Sequence, residues 1–79
     1  MEELIMRLNE LLLGQKAIID GIENCENQTR LQDLGFVSGV DIQCLLEGPL
    51  KDPRMYRLLG TSIALRNQEA QHIFVRCDA

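Results

Sequence analysis

The residues best suited to chemistry in this 79-residue chain are three cysteines, Cys25, Cys44 and Cys77, and a single histidine, His72. A tight zinc or iron site draws thiolate and imidazole ligands to within about 2–2.3 Å of the metal, and close pairs such as C-x-x-C usually announce it. No such pair is present. His72 and Cys77 are the nearest soft ligands, and two ligands do not make a site. No resident cofactor is expected, and a weak affinity for Fe²⁺ or another divalent metal is the most this set offers. Catalysis has less to work with. There is no G-x-S-x-G, no phosphate-binding glycine loop and no H-E-x-x-H, and the carboxylates Asp41 and Glu47 are spread along one strand. An enzyme is not expected. Among the arginines, Arg30, Arg57 and Arg66 can serve either partner contacts or local ion pairs. For Arg66 the local choices are Glu69 and backbone carbonyls. Asp52 reads as a residue that shapes a proline turn, or else touches a partner.

Composition narrows the partners. Twelve acidic against eight basic residues leave a net charge of −4, with no cluster of Lys or Arg. A nucleic-acid binder needs a basic stripe to replace counterions on phosphates, so no nucleic-acid partner is expected. The longest apolar runs are three residues, far short of the ~20 that cross a membrane, so no membrane insertion is expected. The opening residues, MEELIMRLNELLLG, carry acids where a secretory signal needs bases. A cytoplasmic protein with reduced, free thiols follows as the expectation. With no Trp, one Tyr and two Phe, aliphatic side chains must build the core.

The elements that must position these residues follow from periodicity. Leu4, Ile5, Leu8, Leu11 and Leu12 stand at helical spacing after two acids and before Gly14, which predicts a short N-terminal helix. QKAIIDGI predicts a strand bent at Gly21, and ENCENQ predicts a loop. In TRLQDLGFVSGVDI, Thr29 is placed to cap a helix with Leu31 and Leu34 on its buried side. Gly35 then takes a left-handed conformation and Phe36 folds back onto Leu31, as a Schellman stop requires. Gly39 turns the chain into the next strand. VDIQCLLE alternates, with Val40, Ile42, Cys44 and Leu46 on the core side and Asp41, Gln43, Leu45 and Glu47 outside. GPLKDPR is a connection, since its prolines cannot sit in a central strand. MYRLLG and TSIALR predict a hairpin around Gly60 with Tyr56, Leu58, Ile63 and Leu65 inward. Asn67 is placed to cap a turn of helix over QEAQH, and IFVR closes with Ile73 and Val75 inside. Five short strands with glycine corners suit a mainly β, strongly bent barrel with short helices.

Four segments in this order resemble the FeoA family, cytoplasmic accessories of bacterial ferrous iron transport. They are LNELLLGQKAII, RLQDLGFVSGVDI, GPLKDP and GTSIALRNQEAQHIFV. Together they carry a leucine pair before G-Q, then R-L-x-x-L-G-[hydrophobic]-x-x-G, P-x-x-D-P, and G-x-x-[I/L]-A-L-R-x-x-E-A-x-x-I-x-V. The structural signature falls on Leu31, Leu34, Gly35, Phe36, Gly39, Pro53 and Gly60. Lys51 stands where the family often has glycine. The resemblance implies an SH3-like β-barrel in a single domain of residues 1–79, with 1–7 a helical extension and 8–76 the barrel. It also implies work alongside the membrane transporter FeoB through that protein's cytoplasmic domain.

If the core positions above point inward, Leu45, Leu59 and Phe74 point outward on neighbouring strands, with Met55 close by. Three such residues form a patch of the kind that binds protein, unless the N-terminal helix covers them. The expected function is a non-enzymatic adaptor that binds FeoB and tunes it, through Leu45, Met55, Leu59 and Phe74 with Asp52 and Arg66, and with a weak homo-oligomer allowed. The alternative is a metal-responsive module akin to the barrel of iron-dependent repressors, using His72 or the cysteines.

Overall fold

The computed structural model describes residues 3–78. Six strands form one antiparallel sheet: β1 (Glu3–Arg7), β2 (Lys16–Ile22), β3 (Asp41–Glu47), β4 (Arg54–Leu58), β5 (Thr61–Leu65) and β6 (Ile73–Asp78), in the order β1-β6-β2-β3-β4-β5. Short 3-10 turns occupy Leu8–Glu10 and Pro49–Lys51, and two short helices, α1 (Gln28–Asp33) and α2 (Asn67–Ala70), interrupt the strands. β1 and β5 lie at opposite ends of the order, so pairing does not close the sheet into a complete barrel.

One face of the bent sheet holds the core. Ala17, Ile19, Ile42, Cys44, Tyr56, Leu58, Leu65, Ile73, Val75 and Cys77 are buried there, and Leu8, Leu11, Leu31, Phe36 and Ala70 complete the cluster. The inward sets expected for β4, β5 and β6 are in place, with Ile63 partly buried. Arg54 is the buried charge, 4% exposed. It donates to the carbonyls of Asn9 and Leu11 and pairs with Glu47 at 3.0 Å, so its burial is compensated by three acceptors. Burial also pushes the neighbouring Tyr56 phenol up to about 12.

The glycine-rich reversal folds as its sequence requires. Gly35 sits at φ +110°, its N–H reaches the Gln32 carbonyl at 3.0 Å, and the Phe36 N–H reaches the Leu31 carbonyl at 3.1 Å. Those two bonds are the complete Schellman pair. Leu31 and Phe36 are both wholly buried. A bulge in β2 falls between Ile19 and Gly21, at the glycine expected to bend it.

Several expectations are overturned. The N-terminal segment is no helix over its described residues: Glu3–Arg7 pairs with β6 in an unbroken five-residue register. The leucine spacing satisfies a helix on paper, but backbone pairing with β6 decides the outcome, and Leu8 and Leu11 are buried from the following turn. The described residues therefore hold six strands. α1 begins at Gln28 after Asn27, so Thr29 lies inside it, and Leu34 is exposed beyond its end. Asn67 is the first residue of α2, and Asp52 from the proline loop accepts its N–H at 3.0 Å. In β3 the register shifts between Cys44 and Leu46, making Leu45 the extra residue. Every side chain beyond a bulge changes face, so Leu46, expected inside, is 61% exposed, while Leu45 is half-buried.

Candidate interaction surface

The cysteines do not gather around His72, and Cys25 alone shares a hollow with it. Free Cys44 and Cys77 are buried, and Cys25 is half-buried. His72 Nδ1 lies 2.9 Å from Glu23 Oε1, while Cys77 stands five residues along the chain, on β6, where the Gln15 amide reaches its sulfur at 3.5 Å. Five residues of extended chain span about 16 Å. Among the described residues, no group of three or more His, Cys, Asp or Glu is placed to hold a metal ion.

His72 belongs instead to a polar clasp. Glu23 Oε1 accepts Arg7 Nη1 at 2.9 Å as well as His72, and the same Arg7 nitrogen donates to the Gln71 carbonyl at 2.6 Å. The hydrogen bonds from His72 and Arg7 hold the Glu23 carboxyl below the usual carboxylate value. The Arg7 guanidinium lies 4.9 Å from the centre of the Phe74 ring. Phe74, expected bare, is therefore roofed by a cation. It also lies on β6, with β2 and β3 between it and β4, about 14 Å across the sheet from Met55.

The remaining outward apolars form two spots on the β3–β4–β5 end. Register places Leu46 opposite Met55 and Met55 opposite Ala64, one apolar row across three strands. With Gly48 and Pro53 these residues line a shallow hollow. The next outward row, Gln43, Arg57 and Ser62, is polar. Beyond it comes the β4–β5 turn, where Leu59 and Gly60 have φ of +51° and +74°. Positive φ at both central residues is the hairpin geometry that favours Asn-Gly. A leucine there is strained, and this one is 68% exposed. Its Cδ1 lies 2.8 Å from where a Cβ on Gly35 would stand, so Leu59 covers the reversal whose flanks, Leu34 and Val37, are also exposed. Beside Leu59 a groove carries Lys16, Asp41, Gln43 and Arg57. Leu50, 99% exposed, and Lys51 also take left-handed conformations, in the loop where the family often has glycine.

The expected site set is thus divided. Met55 and Leu59 lie at this end, Leu45 gives way to Leu46, and Phe74 belongs to the clasp. Asp52 ties the proline loop to α2. Arg66 is exposed and lines a hollow with Cys25, Glu26, Gln68 and His72, while Glu69 pairs with Arg30. Sequence reading missed Leu46, and the doubled leucine at 45–46 was the signal that alternation could break there.

A strongly bent antiparallel sheet of short strands, punctuated by single-turn helices and lacking a gathered catalytic or metal centre among its described residues, is a small SH3-like domain. Residues 6–77 match the model of the FeoA domain, and the chain belongs to the FeoA family of ferrous iron transport. A Porphyromonas gingivalis relative, described as an Fe(2+) transport protein A/Fe(2+) transporter FeoB fusion protein, is 37% identical over 71 residues, or 89% of this chain. The chain spans only 8% of that relative's length. The solution structure of a FeoA-like protein from Clostridium acetobutylicum superposes with a TM-score of 0.84 at 33% identity, covering 95% of this chain and 87% of that one. The crystal structure of Stenotrophomonas maltophilia FeoA complexed with zinc gives 0.78 at 32% identity over 89% and 88% of the two chains. That protein is described as a prokaryotic SH3 domain protein and a candidate activating factor of ferrous iron transport.

Proposed function

We propose that this protein is a non-enzymatic cytoplasmic adaptor that binds the cytoplasmic part of the FeoB transporter and modulates it. The observation that carries this reading is the fused relative, in which a matching segment shares one polypeptide with the transporter. Two domains that occur as one chain gain from contact, because a linker raises their effective concentration. The contact surface is the β3–β5 end: Leu46 and Met55 on one apolar row, Leu59 at the turn, and Arg57 between them. Apolar anchors around an arginine are the composition of an interface core.

The test is calorimetric titration with the transporter's cytoplasmic domain. Leu46→Glu and Leu59→Glu are expected to weaken binding at least about tenfold, while Phe74→Leu, beneath Arg7, leaves it unchanged. If both glutamate variants fold and bind like the wild type, this face is not the contact. If the wild type itself does not bind, direct contact is wrong.

The zinc complex of the S. maltophilia relative favours a second reading, a metal-responsive module. It requires stoichiometric binding of Fe²⁺ or Zn²⁺ by the reduced protein, lost on His72→Ala or Cys25→Ser, whose parents line the same hollow. No binding at micromolar metal removes it.

A further inference from the structure

The two free sheet edges differ in kind. β5, Thr61–Leu65, is uncharged, and its outward side chains are Ser62 and Ala64, so nothing in it fixes the register of an added strand. β1, Glu3–Arg7, has neither proline nor bulge, two of the means by which an edge refuses a partner, and its two charges are of opposite sign. Its apolar residues Leu4 and Ile5 are 48% and 54% exposed.

We propose that β1 is a homodimer edge, pairing antiparallel with β1 of a second copy about a two-fold axis through Ile5. In that register Glu3 faces Arg7 of the other copy, twice, on the outer face, and Ile5 faces its own equivalent between them. On the inner face Leu4 meets Met6. Leu4 and Met6 lie opposite buried Cys77 and Val75 of β6, so the pairing extends the core face across the joint. Both charges have partners in their own chain and keep unused polar atoms. Glu3 is exposed, with Arg76 at 3.7 Å, and Arg7 holds Glu23 and Gln71 through Nη1 alone. Arg76 is shared with Asp20, and the cross-strand partner of Glu3 on β6 is the acidic Asp78, so an arginine from a second copy meets surplus negative charge there. Shifting the second copy by two residues sets Glu3 against Ile5 and forfeits both ion pairs, so the charges select one register. The product is a continuous twelve-stranded sheet with a β5 edge and its Leu46–Met55–Ala64 row at either end. Nothing in this pairing requires the transporter contact, and its test stands apart from that one.

Sedimentation equilibrium of the wild type, with the thiols reduced, is expected to show mass rising from one chain toward two with concentration. Ile5→Lys should weaken the association at least about tenfold. Because Ile5→Lys can loosen β1 itself, a second variant reads the geometry. Ile5→Cys in a Cys25→Ser background sets two thiols across the axis, with Cβ atoms about 5 Å apart, and should form a disulfide dimer at least about tenfold faster than Leu50→Cys, a fully exposed control. A wild-type mass of one chain at every concentration, or an Ile5→Cys rate no faster than the control, overturns the proposal. Loss of transporter binding in Ile5→Lys without any change in mass would give the edge to a transporter strand instead, and overturns it equally.

Discussion

The outer face of the sheet has two halves that started from the same expectation. Strand alternation puts Met55 and Phe74 outward alike, yet one lies on an open apolar row and the other beneath a cation. At the β6 end, Arg7 lies over Phe74 and is itself fixed by Glu23 and Gln71. At the β3–β5 end nothing comparable among the described residues covers Leu46 or Leu59, which are 61% and 68% exposed. An outward aromatic is therefore not in itself a contact. What distinguishes a contact is an apolar side chain that the fold leaves uncovered, above all where a smaller or polar residue would fit the backbone better. Leu59 meets both conditions.

The largest expected effect breaks the open half. Gly35→Val places a β-branched residue at φ +110° with its Cβ 2.8 Å from Leu59 Cδ1. Backbone strain of about 1–3 kcal/mol is the main cost, because the atom met is the end of an exposed, movable leucine side chain. Against a total of roughly 0.05–0.15 kcal/mol per residue, or about 4–12 kcal/mol for the chain, that removes a substantial share of the stability. Urea denaturation should show the loss, and Leu59→Ala in the same chain should recover little of it, since the cost lies in the backbone. A Gly35→Val protein of wild-type stability that has merely lost its partner would make the reversal a binding site and not a structural one.

A smaller effect sharpens the comparison by separating stability from binding. Leu59→Asn suits the two-residue turn, and relief of the left-handed leucine should raise stability by about 0.5–1 kcal/mol. The same change should weaken transporter binding at least about tenfold. Backbone strain retained on an exposed side chain is what a contact residue shows. If Leu59→Asn destabilises the fold, the leucine is there to cover Gly35, and the open half loses its best anchor.

How much of this was legible in sequence depends on how local each determinant is. The Schellman reversal at Gly35–Phe36 was readable because its bonds join residues five apart or fewer. The inward sets of β4 and β6 followed from alternation. The bulge at Leu45 was not readable: two adjacent leucines satisfy either face, and only pairing with Met55 and Tyr56 chooses. β1 was misread for the same reason, since its partner β6 lies at the other end of the chain. The clasp over Phe74 joins Arg7, Glu23, Gln71 and His72, and no short-range pattern links them. The expected patch failed where it relied on nearness in sequence for nearness in space.

The smallest effect belongs to the covered half. Glu23 is titrated against His72 and Arg7, and its carboxyl lies below the ordinary value in the folded protein. A carboxyl whose value is lowered by folding stabilises the fold above its unfolded value, and that contribution is lost as pH falls through the folded value. The stability difference between wild type and Glu23→Gln should therefore be present near neutral pH and fade on acidification below about pH 4. Because the clasp is solvent-exposed, salt should also reduce it. Thermal melts of both proteins across pH 3–7 measure the difference. If it persists undiminished at pH 3, the clasp is held by something other than the Glu23 charge. Phe74 would then owe its cover to the β1–β6 pairing alone, and the contrast between the two halves would rest on the backbone and not on the polar clasp.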